Sequence, residues 1–398
     1  MKRLLLLGAM QMHVPIIKRA RERGIYVITC DYVPGNEGHR YSDEAYYDST
    51  TDIESVLGLA RRCKVDGVMT FNSDPAALTA AYVSTRLGLP TSGLSAVEIM
   101  SQKDRFRKFL SEKGFNVPKF GNYSDLDTLL GDLDNYRFPI MLKPVDSSGS
   151  KGVAKIDAPV GVPECFSLAM SFSRCKRVIV EEFIEPFGPQ VHGDGFVYDG
   201  NVEFVYLGDH HFDSGINNLV PVSTTFPSTH LLEDMECIER EVQRFISEVG
   251  FKQGGINVEA RISSLDRKVY LIEVGARNGG NFTPRVIQYA SGFNFMDACL
   301  DGALGFPFHP QPVYKAGYYA YMILHSSEDG ILADIFVDSV LESKILERHY
   351  YLRPGDEVKS FKGSNSAVGV LLVRFDTARE MMHYVDCMND YCKVILKD

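Results

Sequence analysis

Three features that would assign this chain to a common class of protein are missing from its sequence. No run approaches the roughly 20 apolar residues that a membrane-spanning helix needs. The eight cysteines are scattered and form no C-x-x-C pair, so neither a zinc cluster nor a disulfide framework is indicated. The net charge of −10 argues against a phosphate-backbone partner such as DNA or RNA. We therefore expect a reduced, cytoplasmic protein without a nucleic-acid or membrane partner.

Length and composition indicate an ordinary globular protein of some size. A chain of 398 residues can build two or three domains with full hydrophobic cores. Its residues are 45% hydrophobic and 24% charged, and neither a low-complexity tract nor an internal repeat is evident.

The first part of the chain alternates apolar runs with amphipathic segments. We predict strands at 3–8, 25–31 and 67–71, and helices at 12–23, 52–62 and 75–87. This alternation predicts parallel βαβ units in an open α/β layer. Ligands of such layers bind at the carboxyl ends of the strands, which here carry Gly8, Asp31 and residues 72–74.

The loop after the first predicted strand lacks the G-x-G-x-x-G pattern of dinucleotide-binding proteins. It begins at Gly8, but Met10 and His13 stand where the second and third glycines belong. A nicotinamide or flavin cofactor is therefore not expected. We interpret His13 as a polar residue at the start of a helix.

Two neighbouring β-like runs late in the chain each carry a glutamate. Residues 254–262 and 269–275 are joined by the polar segment 263–268, which predicts a hairpin. If the turn is centred near Asp266, Glu259 and Glu273 face each other with Cβ atoms about 5 Å apart. Like charges at that distance repel, so the pair indicates a site for Mg²⁺ or Mn²⁺. The alternative is two exposed glutamates in another register.

A lysine and a loop of small residues follow an apolar run in the middle of the chain. Lys143 ends a predicted strand, and the loop 146–152 leads into another strand at 153–156. Small residues let consecutive N–H groups converge on an anion, and hydroxyls and Lys151 add donors, which suits a polyphosphate. The loop joins two strands, unlike a Walker A loop, which runs into a helix. The alternative is a flexible hairpin tip.

Two further segments have both a functional and an ordinary interpretation. The apolar run 177–185 ends in acidic residues, and its edge could offer backbone groups to a purine while Phe183 and Ile184 supply an apolar contact. The basic helix 101–112 would by itself be read as a solvated face. Helices are also predicted at 284–289 and 295–304, and the remainder contains no evident catalytic cluster.

In this order and spacing, the motifs resemble those of the ATP-grasp superfamily. The closest resemblance is to its carboxylate–amine ligase branch, which is related to purine-biosynthetic and carbamoyl-phosphate-type enzymes. The resemblance covers nearly the whole chain. It implies an α/β N-terminal layer (1–97), an α+β ATP-grasp fold (98–310, with a flap subdomain at about 115–185) and a small mixed C-terminal closing domain (311–398).

The resemblance also implies roles for individual residues. Glu259 and Glu273 would hold Mg²⁺ or Mn²⁺ against ATP, Arg277 would stabilise the transferring phosphoryl group, and these three are the predicted catalytic residues. Such a site supplies the positioning and charge that phosphoryl transfer requires. The predicted ATP-binding residues are Lys103 and Lys143 at the phosphates, Ser147, Ser148, Gly149, Ser150 and Gly152 in the flap, Glu181, Glu182, Phe183 and Ile184 at the adenine, and Gln190 near the ribose.

The sequence departs from the family pattern at two positions. Gly275 stands where the family often has an asparagine as a third metal ligand, which leaves the number of metal ions open; Asn278 or Asn281 could compensate. Gln190 stands where a ribose-binding glutamate is expected. No biotin-attachment segment is visible, which disfavours a self-contained biotin carboxylase.

The function implied by the resemblance is ATP-dependent ligation. A small-molecule carboxylate would attack the γ-phosphate, and an amine would capture the acyl-phosphate to give an amide, ADP and phosphate. Two alternatives are phosphorylation of bicarbonate, as in carboxylases or carbamoyl-phosphate-type synthetases, and non-catalytic ATP binding by a regulatory protein.

The substrates of such a ligase would lie between residues 72–74, the loop 277–281 and Arg285. The Arg285 guanidinium could clamp a carboxylate, and its alternative role is a surface helix charge. The oligomeric state stays open, with a homodimer as one option.

Overall fold

An unbroken apolar run, Leu4 to Leu7, forms the centre of the first sheet. In the computed structural model, which describes residues 1–311, 313–314 and 317–397, these four side chains are at most 1% exposed. Leu4 and Leu6 belong to one apolar cluster, and Leu5 and Leu7 belong to another. Because successive side chains of a strand point to opposite faces, the run is buried on both sides, as in a parallel sheet covered by helices.

The remaining elements of this layer follow the predicted alternation closely. They are β1 (Arg3–Leu7), α1 (Val14–Glu22), β2 (Tyr26–Cys30), β3 (Glu44–Tyr46), α2 (Ile53–Cys63), β4 (Gly67–Met69) and α3 (Asp74–Leu87). The sheet has the order β3-β2-β1-β4, and all of its pairings are parallel. The short strand β3 carries only three residues and was not predicted.

His13 is more than a polar residue at a helix start. It lies at the N-cap of α1, but its ring is fully buried beneath Gly8. Gly8 has a φ of +119°, and a Cβ at this position would lie 2.5 Å from His13 Nε2. Burial lowers the pKa of His13 to about 4. The glycine is therefore needed to accommodate an imidazole.

A small antiparallel sheet follows two linking helices. These helices are α4 (Leu94–Ser101) and α5 (Lys103–Glu112), and the sheet region contains β5 (Phe120–Tyr123), α6 (Leu126–Asp132), β6 (Ile140–Pro144), β7 (Ala154–Ile156), α7 (Val162–Phe172) and β8 (Val178–Glu182). The strand order is β5-β8-β6-β7. Strands β6 and β7 pair directly, which confirms that the loop 146–152 joins two strands.

The next part of the chain supplies long strands and three helices. They are β9 (Gln190–Tyr198), β10 (Asn201–Asp213), β11 (Asn217–Phe226), α8 (Leu232–Val249), β12 (Gly254–Ile262), β13 (Val269–Gly275), α9 (Thr283–Ser291) and α10 (Phe295–Leu304). Helices α9 and α10 confirm the two helices predicted here.

The last part of the chain is mixed, as expected. Its elements are β14 (Tyr318–Leu324), β15 (Gly330–Val337), α11 (Ser339–Glu342), β16 (Ile345–Tyr350), β17 (Glu357–Val358), β18 (Gly369–Phe375), α12 (Ala378–Asp386), α13 (Met388–Tyr391) and β19 (Cys392–Leu396). Among the described residues, no helix has both the length and the apolar character needed to cross a membrane.

One sheet extends across the predicted boundary at residue 310. Its eight strands have the order β13-β12-β9-β10-β11-β14-β18-β16, so three strands of the last part continue a sheet that begins with the hairpin of β12 and β13. Strands β15, β17 and β19 form a separate small sheet. The limits at 97 and 310 stay predictions, and residue 398, the predicted end of the last domain, lies outside the described residues.

Candidate functional site

The hairpin of β12 and β13 places two glutamates directly opposite each other. Glu259 pairs with Glu273 in the antiparallel ladder, which confirms the predicted register. The ladder is irregular immediately after Glu259. Both side chains are partly buried. Burial, together with the charge of Glu273, raises the pKa of Glu259 to about 7. The nearby cations therefore do not fully offset the burial and the repulsion of the two carboxylates.

Lys103 links the glutamate pair to the flap loop. It is the first residue of α5, and its ammonium lies 3.2 Å from Glu273 Oε2 and donates to the backbone oxygen of Ser147 at 2.9 Å. Burial opposes its charge, but Glu273, Asp74 and Glu259 together raise the pKa of Lys103. A charged lysine at this point can contact a phosphate while it remains close to the predicted metal ligands.

Gln190, the predicted ribose contact, bridges two side chains of β12. Its Nε2 donates to Glu259 Oε2 at 2.9 Å, and its Oε1 accepts from Arg261 Nε at 2.8 Å. The amide therefore orients Glu259 from the side opposite to Glu273. This arrangement joins the predicted metal site to the first residue of β9.

Lys143 belongs to a buried ionic network that the sequence did not reveal. Its ammonium lies 2.6 Å from Glu181 Oε2, and Arg107 Nε lies 2.7 Å from Glu181 Oε1. Burial disfavours the Glu181 carboxylate, but Arg107 and Lys143 outweigh it and lower the pKa of Glu181 to about 2. Burial, with Arg107 and Lys103, lowers the pKa of Lys143 despite Glu181.

Arg107 is the least exposed member of this network, with 2% of its side chain accessible. Besides Glu181, it donates to the backbone oxygens of Leu271 and Ile272 in β13 at 2.8 and 3.3 Å. Positions 103, 107 and 110 share one face of a helix, and this spacing was the signal that could have identified Arg107 as buried. The basic helix is thus more than a solvated face.

The segment 181–184 presents backbone rather than side-chain groups. The Glu182 carboxylate accepts from Arg137 N at 2.9 Å, and Phe183 N donates to Pro139 O at 2.9 Å. Among the described residues, the Ile184 N–H has no hydrogen-bond partner, so an acceptor nitrogen of a purine could use it. Lys155 Nζ and Arg261 Cζ lie 4.2 and 4.9 Å from the centroid of the Phe183 ring.

The flap loop turns through left-handed backbone conformations. Gly149, Ser150 and Gly152 have φ values of +66°, +58° and +70°. Ser150 Oγ donates to Leu219 O at 2.8 Å, and a Cβ at Gly149 would lie 2.5 Å from Ser364 Oγ. The loop tip therefore rests on β11 and on the last part of the chain, and a side chain at position 149 would displace the Ser364 hydroxyl.

Arg277 is held by an aspartate of the N-terminal layer. Its Nε and Nη2 lie 2.6 and 2.7 Å from the two carboxylate oxygens of Asp74, and its Nη1 donates to Asn278 O at 3.1 Å. Asn278 is 1% exposed, and its amide contacts Asp194 and Cys299. Asn278 is therefore committed to the core beneath the loop, and Asn281 bonds to Tyr321.

Part of this site lines one cleft of about 320 Å³. Its lining includes Asp74, Lys103, Ser147, Ser148 and Glu273. The volume lies in the range of small-molecule sites. The structure thus brings the end of the N-terminal layer, the flap and one of the two predicted metal ligands to the same space.

Arg285 does hold a carboxylate, but that carboxylate belongs to the protein. Its Nε lies 2.6 Å from Glu347 Oε1, and Glu347 also accepts from Tyr289 at 2.6 Å. The pair joins α9 to β16. Arg285 therefore links two parts of the chain rather than projecting as a free surface charge.

The donor set fits a divalent cation that is completed by other ligands. Two opposed carboxylates with a raised pKa suit Mg²⁺, which is bound by one or two carboxylates together with phosphates and water. Within the described residues, no set of three His, Cys, Asp or Glu side chains is arranged to hold a metal. The protein would thus contribute Glu259 and Glu273, and Gly275 adds no side chain.

Comparison with known proteins identifies a domain family in the central part of the chain. Residues 136–285 match the ATP-grasp domain family. Over 189 residues the chain is 30% identical to a formate-dependent phosphoribosylglycinamide formyltransferase of Prochlorococcus marinus, covering 46% of this chain and 47% of the relative. The chain spans about half the length, or less, of the curated relatives that it matches.

Two solved structures share the fold over the whole chain. An L-amino acid ligase from Bacillus licheniformis has a TM-score of 0.81 at 23% identity, covering 100% of this chain and 99% of that one. The biotin carboxylase domain of the Hydrogenobacter thermophilus 2-oxoglutarate carboxylase, in complex with MgADP and bicarbonate, has a TM-score of 0.76 at 16% identity, covering 100% and 91%. The chain carries an ATP-grasp domain over residues 136–285.

Replacing Arg107 by Met should destabilise the protein strongly. The change leaves Glu181 with one cation and removes the Arg107 donors from two β13 carbonyls, and breaking a buried ion pair costs about 3–5 kcal/mol. Urea unfolding would measure the loss. Arg105→Met on the same helix is the control, because that side chain is 51% exposed, and it should change stability by no more than about 0.5 kcal/mol. Equal effects would contradict the role given to Arg107.

The metal-free protein should lose stability from the Glu259 carboxyl as pH rises. Its folded pKa of about 7 exceeds its ordinary value of 4.5, so between these values the folded protein holds a proton that the unfolded chain releases. Glu259→Gln removes this loss. In EDTA, the melting temperature of Glu259→Gln minus that of the wild type should therefore increase as the pH is raised from about 5 to about 8.

The exposed Glu185 provides the control for this measurement. Glu185→Gln should show no such trend with pH, and excess Mg²⁺ should reduce the advantage of Glu259→Gln at the higher pH. A difference that stays constant with pH would contradict the electrostatic account of the glutamate pair.

Proposed function

We propose that this protein is an ATP-dependent ligase that activates a substrate carboxylate as an acyl-phosphate and joins it to an amine. The observation that carries the proposal is the opposed pair of Glu259 and Glu273, with Lys103 at 3.2 Å from Glu273 and Arg277 on the following loop. Phosphoryl transfer depends on positioning and on fixed positive charge more than on covalent catalysis. A carboxylate pair flanked by a lysine and an arginine has this chemistry.

Each end of the nucleotide has candidate contacts in this chain. The Ile184 N–H would donate to the adenine, and the Phe183 side chain would pack near it. Lys103, Lys143 and the flap serines would contact the phosphates. Glu259 and Glu273 would hold Mg²⁺, which when bound draws charge from the phosphate oxygens.

In the proposed reaction, an oxygen of the substrate carboxylate bonds to the γ-phosphorus as the bond to the ADP oxygen breaks. Arg277 neutralises charge on the phosphoryl group during this step. The amine then attacks the acyl carbon, phosphate leaves, and the amine loses a proton. Closure of the flap over the cleft would keep water from the acyl-phosphate. The names of the formate-dependent formyltransferase and the L-amino acid ligase support this class of reaction.

Bicarbonate as the phosphoryl acceptor is the second candidate. It is favoured by the structural similarity to a biotin carboxylase domain whose structure contains MgADP and bicarbonate. Bicarbonate is itself a carboxylate-like acid, so the same residues would serve both reactions. ADP release that requires bicarbonate and no other acid would favour it over the first candidate.

Glu273→Gln should abolish ATP turnover with little effect on folding, because it removes half of the predicted metal site and its charge. The measurement is ADP release in the presence of Mg²⁺, screened over pairs of carboxylates and amines and over bicarbonate. Glu185→Gln is the control and should retain full turnover. A Glu273→Gln protein that cleaves ATP at the wild-type rate would overturn the metal assignment, and tight ATP binding by the wild type without ADP release would favour a regulatory role.

A further inference from the structure

We infer that Asp74 is a positioning residue for the phosphoryl-transfer step and acts through Arg277. The inference rests on the proposed function, in which Arg277 stabilises the transferring phosphoryl group. It assigns a part of the reaction to the N-terminal layer, because Asp74 is the first residue of α3.

The contact between the two residues fixes the plane of the guanidinium. Two nitrogens of Arg277 meet the two oxygens of Asp74 at 2.6 and 2.7 Å, and the third nitrogen donates to Asn278 O. Such two-pronged pairs hold both the position and the orientation of the arginine. The Arg277 side chain is only 12% exposed, so it has little room to take another orientation.

The backbone that carries Arg277 is anchored independently of Asp74. Gly279 N donates to both carboxylate oxygens of the buried Asp194 at 2.8 and 2.9 Å, and Asn278 N donates to Phe71 O at 2.9 Å. Removal of the Asp74 carboxylate would therefore release the side chain of Arg277 while the loop stays in place. A positioning role requires that the carboxylate control the Arg277 side chain without controlling the loop backbone.

Gly275 leaves the space that the pair occupies. A Cβ at this position would lie 3.3 Å from Asp74 Oδ1 and 3.6 Å from Arg277 Cζ. A longer side chain at 275 would thus meet the ion pair directly. In this chain a carboxylate from the N-terminal layer therefore fills the region next to the end of β13.

Asp74 also lies where the reaction would occur. It lines the same cleft as Lys103, Glu273, Ser147 and Ser148, whereas Arg277 lines a second pocket together with Ala276 and Asn278. The chain offers a purely structural pair for comparison, because Arg19 on α1 holds Asp297 on α10 through two contacts of 2.8 Å, and neither residue lines either pocket.

The test compares Asp74→Asn with Asp297→Asn. Both changes remove one charge from a two-pronged arginine pair. The probes are MgADP alone and MgADP with aluminium fluoride, an analogue of the phosphoryl group in transfer, so no substrate need be known. Calorimetry gives the affinity for MgADP, and the rate of nucleotide loss after gel filtration gives the retention caused by aluminium fluoride.

We expect wild-type affinity for MgADP in both variants. Retention with aluminium fluoride should fall about 10- to 100-fold in Asp74→Asn, since a small misplacement of a reacting group has effects of this size. Asp297→Asn should retain the nucleotide as the wild type does. Arg277→Ala should lose retention at least as far as Asp74→Asn, and Asp74→Glu, which displaces the carboxylate but keeps it, should be intermediate.

Each other outcome is decisive. Wild-type retention in Asp74→Asn with loss in Arg277→Ala would overturn the inference and leave the proposed function intact. Equal losses in Asp74→Asn and Asp297→Asn would also overturn it, in favour of a structural pair. If Asp74→Asn fails to fold, full retention by Asp74→Glu overturns it and partial retention supports it. A wild type that does not bind MgADP, or does not retain it with aluminium fluoride, would overturn the proposed function itself.

Discussion

Repulsion between two carboxylates on adjacent strands is the constraint around which the site is arranged. Glu259 and Glu273 are fixed opposite each other by the backbone ladder, so they cannot separate without loss of the hairpin. Each surrounding group reduces that repulsion from a different direction. Lys103 approaches Glu273, and Gln190 donates to Glu259. Because these groups do not fully offset the repulsion between the two carboxylates, the pair is suited to bind a divalent cation.

The parts of the site that could be predicted from the sequence are those whose partners are close along the chain. The register of Glu259 and Glu273 follows from one short turn, and the strand–loop–strand flap follows from its composition. The network of Arg107 and Glu181 joins residues 74 positions apart, and Arg277 meets Asp74 across 203 positions. No local periodicity specifies such pairs, because they depend on how separate layers pack. The continuity of the large sheet past residue 310 was missed for the same reason.

The polar interior of this protein serves to hold backbone segments as much as side chains. Arg107 donates to two carbonyl oxygens of β13 while it pairs with Glu181, so one guanidinium connects α5, the small sheet and the hairpin. Asp194 accepts from the backbone of the Arg277 loop in a similar way. Buried charges of this kind are tolerated only when nearly every donor and acceptor is matched. The shape of the cleft therefore depends on groups that do not line it.

The eight-stranded sheet also limits how segments of such a protein can be exchanged between relatives by recombination. Strand β14 pairs with β11 through four residue pairs, and β18 pairs with β14 along its whole length. Removal of the last part of the chain would expose an unpaired strand edge, which favours aggregation. Exchange of that part between relatives would have to preserve the pairing with β11. Recombination across this junction is thus limited by backbone hydrogen bonding between β11 and β14.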